Sequence, residues 1–123
     1  MGLRYLYDTN IFIYYFSGTL KENYFSVEFI EGNQITISTI VRMEVLSHPN
    51  IKEHEEAYYK EFLNQFKILP IDSAVEDQAI NIRRKYKVKL PDAIIAATAM
   101  VSDSILVTKN TGDFRKITGL KLI

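Results

Sequence analysis

The sequence predicts an α/β fold, a three-layer sandwich around a central parallel sheet of about five strands. Short apolar runs recur along the chain, and helical stretches fill the gaps between them. Strands buried on both faces and separated by helices pair in parallel, because each crossover helix covers one face of the sheet and returns the chain in a right-handed sense. In order, LRYLY (3–7) reads as the first strand. Thr19 and Glu22 then form an S/T-x-x-E helix start, in which hydroxyl and carboxylate satisfy each other's backbone donors, opening a helix that runs to Glu31. QITIS (34–38) is the second strand, followed by helices over 39–47 and 52–65. FKILPI (66–71) is the third strand, Ser73 and Glu76 open the next helix, and 91–102 forms another. SILVT (104–108) and LKLI (120–123) supply the last two strands.

The 123 residues contain no repeat, linker or low-complexity segment and only three prolines, so the whole of 1–123 reads as one domain. Cysteine is absent and only His48 and His54 could donate imidazole, which excludes disulfides, thiolate zinc sites, cysteine nucleophiles and a His-rich metal centre. Neither a leader-like N-terminus nor a membrane-length apolar run is visible, and a soluble, cytoplasmic protein without membrane contact is expected. Net charge is zero but unevenly spread: residues 1–62 carry five Lys/Arg and nine Asp/Glu, and residues 63–123 carry ten and six. The basic excess concentrates in RRKYKVK (83–89), which suits either a solvated helix end or contact with an anionic polymer.

Four acids stand where acids are costly. Asp8 lies in LRYLYDTNIFIYYF, flanked by apolar and aromatic residues, just past the first strand; a carboxylate there is either a helix cap or part of a site. Glu44, in STIVRMEVLSHP, falls on the helical wheel between Ile40 and Val41, toward the apolar arc, whereas Arg42 falls nearly opposite and toward solvent. Asp92 occupies the first turn of a helix with no charged residue from Ala93 to Val101, next to Pro91, a residue favoured at helix starts; it either caps that helix or faces a site. Asp113, in VTKNTGDFRKI, follows the SILVT strand, where Asn110 and Asp113 could also be an ordinary cap and first-turn acid. Ligands of such sheets bind at the carboxyl ends of the strands. Clustered carboxylates without a basic partner repel one another unless a cation neutralises them, and an all-oxygen donor set suits Mg²⁺ or Mn²⁺. Such an ion can activate water for attack on a phosphodiester.

YDTNIFIYY, STIVRMEV, LPDAIIAATA and LVTKNTGDF, in this order and spacing, resemble PIN domains, specifically the VapC-type toxins of toxin–antitoxin pairs, over essentially the whole chain. The resemblance implies a five-stranded parallel sheet between helices and Mg²⁺- or Mn²⁺-dependent endoribonuclease activity. It maps catalytic, metal-binding acids onto Asp8, Glu44, Asp92 and Asp113, with Thr9, Asn10, Thr108 and Asn110 in support. The fourth acid is the family's least regular, so either Asn110 or Asp113 completes the metal site. The resemblance also implies a cognate antitoxin and a homodimer, with the helices Thr19 to Glu31 and Lys52 to Phe66 as antitoxin clamps. Neutralising four carboxylates in a chain of net charge zero leaves +4 on the remainder, which favours an RNA substrate. Arg83, Arg84, Lys85 and Lys109 are its candidate contacts. Two rival readings are a catalytically silent PIN-fold binding module and a phospho-receiver domain, in which Asp72 would imitate the phosphoacceptor and Lys109 the late lysine.

Overall fold

The computed structural model describes residues 2–123. Its sheet comprises β1 (Arg4–Tyr7), β2 (Gln34–Ser38), β3 (Lys67–Leu69) and β4 (Ile105–Val107), all parallel, in the order β3-β2-β1-β4. Leu6 pairs with Thr36 on one side and Leu106 on the other, and Ile37 pairs with Ile68. The chain steps outward from β1 to β3, then crosses back to lay β4 on the other side of β1. The strand order therefore reverses at β1 and β4, and a crevice opens at their carboxyl ends.

The sheet has four strands rather than about five. Residues 120–123 run alongside β4 but make a single parallel bridge, Leu106 to Leu122, with the Leu106 N–H donating to the Lys121 carbonyl at 2.9 Å and the Ile123 N–H to the Leu106 carbonyl at 3.0 Å. So short an edge segment adds one further bond, from the Thr108 N–H to the Ile123 carbonyl at 3.2 Å, and its pairing stops at that one bridge.

Flanking the sheet are α1 (Thr9–Phe16), α2 (Val27–Gly32), α3 (Thr39–Leu46), α4 (Glu56–Leu63), α5 (Ser73–Lys85), α6 (Leu90–Val101) and the single turn α7 (Thr111–Phe114). The helix expected from Thr19 begins only at Val27, where the Ser26 hydroxyl accepts the Phe29 N–H at 3.1 Å. Thr19 instead donates back to the Tyr14 carbonyl at 3.3 Å, and Glu22 pairs with Lys109, so neither half of the expected capping box meets a helix start. Tertiary packing wins here: Phe25 lies edge-on to Tyr7 at 5.3 Å, and the Tyr7 hydroxyl donates to the Tyr24 carbonyl at 2.5 Å. The expected 52–65 helix divides into a 3-10 turn (Glu53–Glu55) and α4. The α5 cap is Asp72, one residue before Ser73, accepting the Val75 N–H at 3.0 Å.

Two packing solutions fill the core. In α6, Ala93, Ala96, Ala97 and Ala99 are fully buried, and their small side chains let α5 and α3 approach closely. Around α1 the solution is aromatic. Phe12, fully buried, meets Tyr7 at 6.0 Å, Phe25 at 5.3 Å, Phe66 at 5.8 Å and Phe62 at 6.4 Å, mostly edge-on. Phe12→Ala should cost about 3–5 kcal/mol in a urea melt, and Tyr7→Phe, which leaves the Tyr24 carbonyl without its donor, about 1–3 kcal/mol. A Phe12→Ala loss below about 1 kcal/mol would show that this cluster does not hold the fold together.

Candidate active site

Asp8 sits at the sheet's reversal point. Its N–H still donates to the Val107 carbonyl at 2.9 Å, continuing the β1–β4 ladder, while its side chain N-caps α1 by accepting the Thr9 N–H at 2.8 Å. The other carboxylate oxygen accepts the Thr108 hydroxyl at 2.6 Å, and Thr108 in turn accepts the Asn110 N–H at 2.9 Å. Asp8 is therefore both a cap and a candidate site residue. At 5 % exposure its carboxyl is pushed up to about 6, mainly by burial; the Thr108 and Thr9 hydrogen bonds pull it down, and the charges of Asp92 and Glu44 push it up.

The supporting residues bind this edge together. The Thr9 hydroxyl donates to Glu44 at 2.6 Å, joining α1 to α3. The Asn10 side-chain oxygen accepts the Lys109 N–H at 3.2 Å, and the Asn110 amide donates to Asp113 at 2.5 Å. On α3, Val41 and Val45 are fully buried and Glu44 is half-buried beside them, as the wheel implies. Arg42 differs from expectation: it is half-buried rather than solvent-facing, and its Nε is buried without a hydrogen-bond partner among the described residues.

Asp92 is not the cap of α6; Lys89 holds that position, with Pro91 in the first turn. The Asp92 carboxyl is raised, first by burial and then by the charges of Asp113 and Glu44, with Lys89 opposing. The four acids thus share one edge: Asp8 feels Glu44 and Asp92, and Asp92 feels Glu44 and Asp113. Among the described residues no ion pair reaches any of them. Nor do three of them converge within ligating distance of one point among those residues, so the cluster is open. An all-oxygen set of this kind fits a hard divalent ion.

The basic residues distribute otherwise than the sequence suggested. Arg83 and Arg84 line a cavity of about 520 Å³ with Ile71, Ile80, Leu90 and Ile94, and Lys85 borders a separate one with Tyr86 and Ile117. Lys109 is paired with Glu22. Beside the acids lie Lys87, Lys89 and Lys116, lining a cleft of about 120 Å³ with Asp92 and Asp113. Lys116 was legible only as part of the FRKI turn, with no sequence signal to place it opposite Lys89. Asp72 is committed to capping α5 and Lys109 to Glu22, which leaves a phospho-receiver site without its acceptor and lysine.

Fold and edge define an α/β protein with an acidic cluster at the carboxyl ends of a parallel sheet. The chain belongs to the PIN-domain family, whose model matches residues 5–120. No curated protein matches it. Among solved structures, it is similar to a chain of a toxin–antitoxin complex from Klebsiella pneumoniae, with 39% identity, a TM-score of 0.80, and coverage of 96% of this chain and 94% of that one. It is also similar to a chain of VapBC2 from Rickettsia felis bound to a promoter DNA fragment, with 25% identity, a TM-score of 0.84 and coverage of 98% of both chains. DNA-bound VapBC from Salmonella typhimurium, at 22% identity, a TM-score of 0.83 and coverage of 98% and 97%, shares the fold.

The raised Asp8 carboxyl sets a pH dependence. Its native value of about 6 exceeds the ordinary 3.8, so the folded state binds more protons between these values and stability falls as pH rises through this window, then levels off. The full span corresponds to about 3 kcal/mol. Urea melts in chelator should show lower stability at pH 7.5 than at pH 5, and Asp8→Asn should flatten that slope. An unchanged slope in the variant would assign the dependence to other groups.

Proposed function

We propose that this chain is the toxin of a toxin–antitoxin pair and acts as a Mg²⁺- or Mn²⁺-dependent endoribonuclease in the cytoplasm. The observation that carries the reading is the acidic edge: four carboxylates, two of them with raised pKa values and none with a basic ion-pair partner among the described residues. A structural ion-pair network would have supplied lysine or arginine. Membership of the PIN family supports nuclease chemistry, and the likeness to chains from toxin–antitoxin complexes supports an antitoxin partner.

Asp8, Glu44, Asp92 and Asp113 would hold the ion, which when bound supplies a Lewis acid for the phosphodiester and lowers the pKa of a coordinated water. The chain's own contribution is orientation. Thr108 and the Thr9 N–H fix both oxygens of Asp8, the Thr9 hydroxyl aims Glu44, and Asn110 holds Asp113. Asn110 thus serves as a positioning residue and Asp113 as the donor. α1 exposes Tyr14 and Tyr15 and α4 exposes Tyr58, aromatic side chains of a kind suited to the antitoxin. Only α2 of the 19–31 stretch is helical, so of the two expected clamp helices α4 is the longer. A homodimer belongs to the same proposal. Among the described residues no helix is long and apolar enough to cross a membrane.

Purified protein should cleave single-stranded RNA in Mn²⁺ or Mg²⁺, leave 5′-phosphate and 3′-hydroxyl ends, and lose activity in EDTA. Products with 2′,3′-cyclic phosphate, or cleavage that persists in excess chelator, would overturn the mechanism. Asp92→Asn separates a ligand from a structural acid. Without metal the variant should be at least as stable as wild type, because a repelling charge is removed. Its Mn²⁺-induced stabilisation should shrink from the wild-type gain of about 2.7 kcal/mol at 100 times the dissociation constant, and its cleavage rate should fall sharply. Retention of both the Mn²⁺ shift and the rate would make Asp92 structural.

A further inference from the structure

We propose that Lys89 and Lys116 grip a backbone phosphate of the RNA strand next to the acidic edge, with the Lys87 main chain fixing Lys116 in place. The inference rests on the ribonuclease reading and names the part of the molecule that meets the substrate. Three observations carry it. The cleft lined by Lys87, Lys89, Lys116, Asp92 and Asp113 is the place where basic side chains border the acids. The Lys116 ammonium donates to the Lys87 carbonyl at 2.7 Å, so the turn after α7 is tied to the loop between α5 and α6. One ammonium hydrogen is thereby committed and two remain for an anion. Finally, among the described residues neither Lys89 nor Lys116 makes an ion pair, although both flank acids, and both are exposed.

The charge pattern suits a polyanion that arrives with the metal. With Asp92 and Asp113 bare, an anion in the cleft would be repelled. Once a cation neutralises them, Lys87, Lys89 and Lys116 remain around the cleft. Lysine ammonium groups hold phosphate oxygens as compact point charges and present no base-reading pattern. A cleft that grips phosphate and not bases contributes affinity and register without sequence preference. Arg83 and Arg84, by contrast, line a different cavity, with Ile80 and Leu90.

Binding of a labelled single-stranded RNA oligonucleotide is measured by anisotropy across a salt series in Ca²⁺, a hard divalent ion that can neutralise the acids, and KM is followed across the same series in Mn²⁺. Each phosphate contact on a single strand contributes about 0.7 to the slope of log affinity against log salt. The Lys89→Gln/Lys116→Gln double variant should therefore lose about 1.4 of that slope, with KM rising more than kcat falls. Lys89→Arg/Lys116→Arg should restore the slope, which a merely structural role for the Lys116 tether does not predict. Arg83→Gln/Arg84→Gln should leave it unchanged. A glutamine double variant with the wild-type slope, or an arginine variant that fails to recover it, would overturn the proposal while leaving the nuclease reading intact. A wild-type chain that neither binds nor cleaves RNA would remove both.

Discussion

The hydrogen bond from Thr108 to Asp8 is the constraint on which the edge of this molecule depends. It joins residues a hundred positions apart, each one step beyond the end of its strand, and its length of 2.6 Å marks a hydroxyl donating to a charged acceptor. An ionised carboxylate in a wall of apolar and aromatic side chains would be costly without it. With it, and with the Thr9 N–H on the other oxygen, Asp8 is held in one orientation while its pKa remains high. Stability is given up at one position so that a group with an accessible charge change stands at the sheet's reversal point. The same residue caps α1, which directs the Thr9 hydroxyl to Glu44, so local helix geometry and the arrangement of acids are one solution.

The packing behind this edge is divided between two materials. Near α1, aromatic rings meet at 5–6 Å and set the position of the helix that carries Thr9 and Asn10. On the other side, the buried alanines of α6 bring its first turn, and hence Asp92, close to the sheet. Rings fix distance and alanines permit proximity. A lysine-bordered cleft then lies where the α6 start meets the turn after α7, which gives the acids a basic neighbour without an ion pair that would neutralise them.

Much of this was legible in the sequence, for identifiable reasons. β2, β4, α3 and α6 carry patterns that local chemistry explains: β-branched runs, a proline in the first turn, an uncharged stretch. Asp8 was visible because a charge in an apolar run demands an explanation. Less legible were features decided across the chain. The Thr19 and Glu22 pair has a helix-start signature, yet Glu22 was drawn to Lys109 and Phe25 to Tyr7, and the helix began later. The end of β1 at Tyr7 was read from the sequence, but the helix that follows at Thr9 was not singled out, because apolar residues continue through both. The basic run read as one patch, whereas helix periodicity and the bend after Lys85 send Arg83 and Arg84 to one cavity and Lys89 to another. Lys116 had no local signal, since its meaning comes from the Lys87 carbonyl, 29 residues away in sequence.

The separation between Asp8 and Thr108 also has a kinetic meaning. Contacts such as those of α5 with α6 close over a short stretch of chain, whereas pairing β1 with β4 closes nearly all of it, and long closures are entropically the more expensive to make early. The acidic edge therefore belongs to the last stage of assembly. A chain with its helices formed and its strands not yet joined has the four acids but not their arrangement, which exists only once β4 docks on β1.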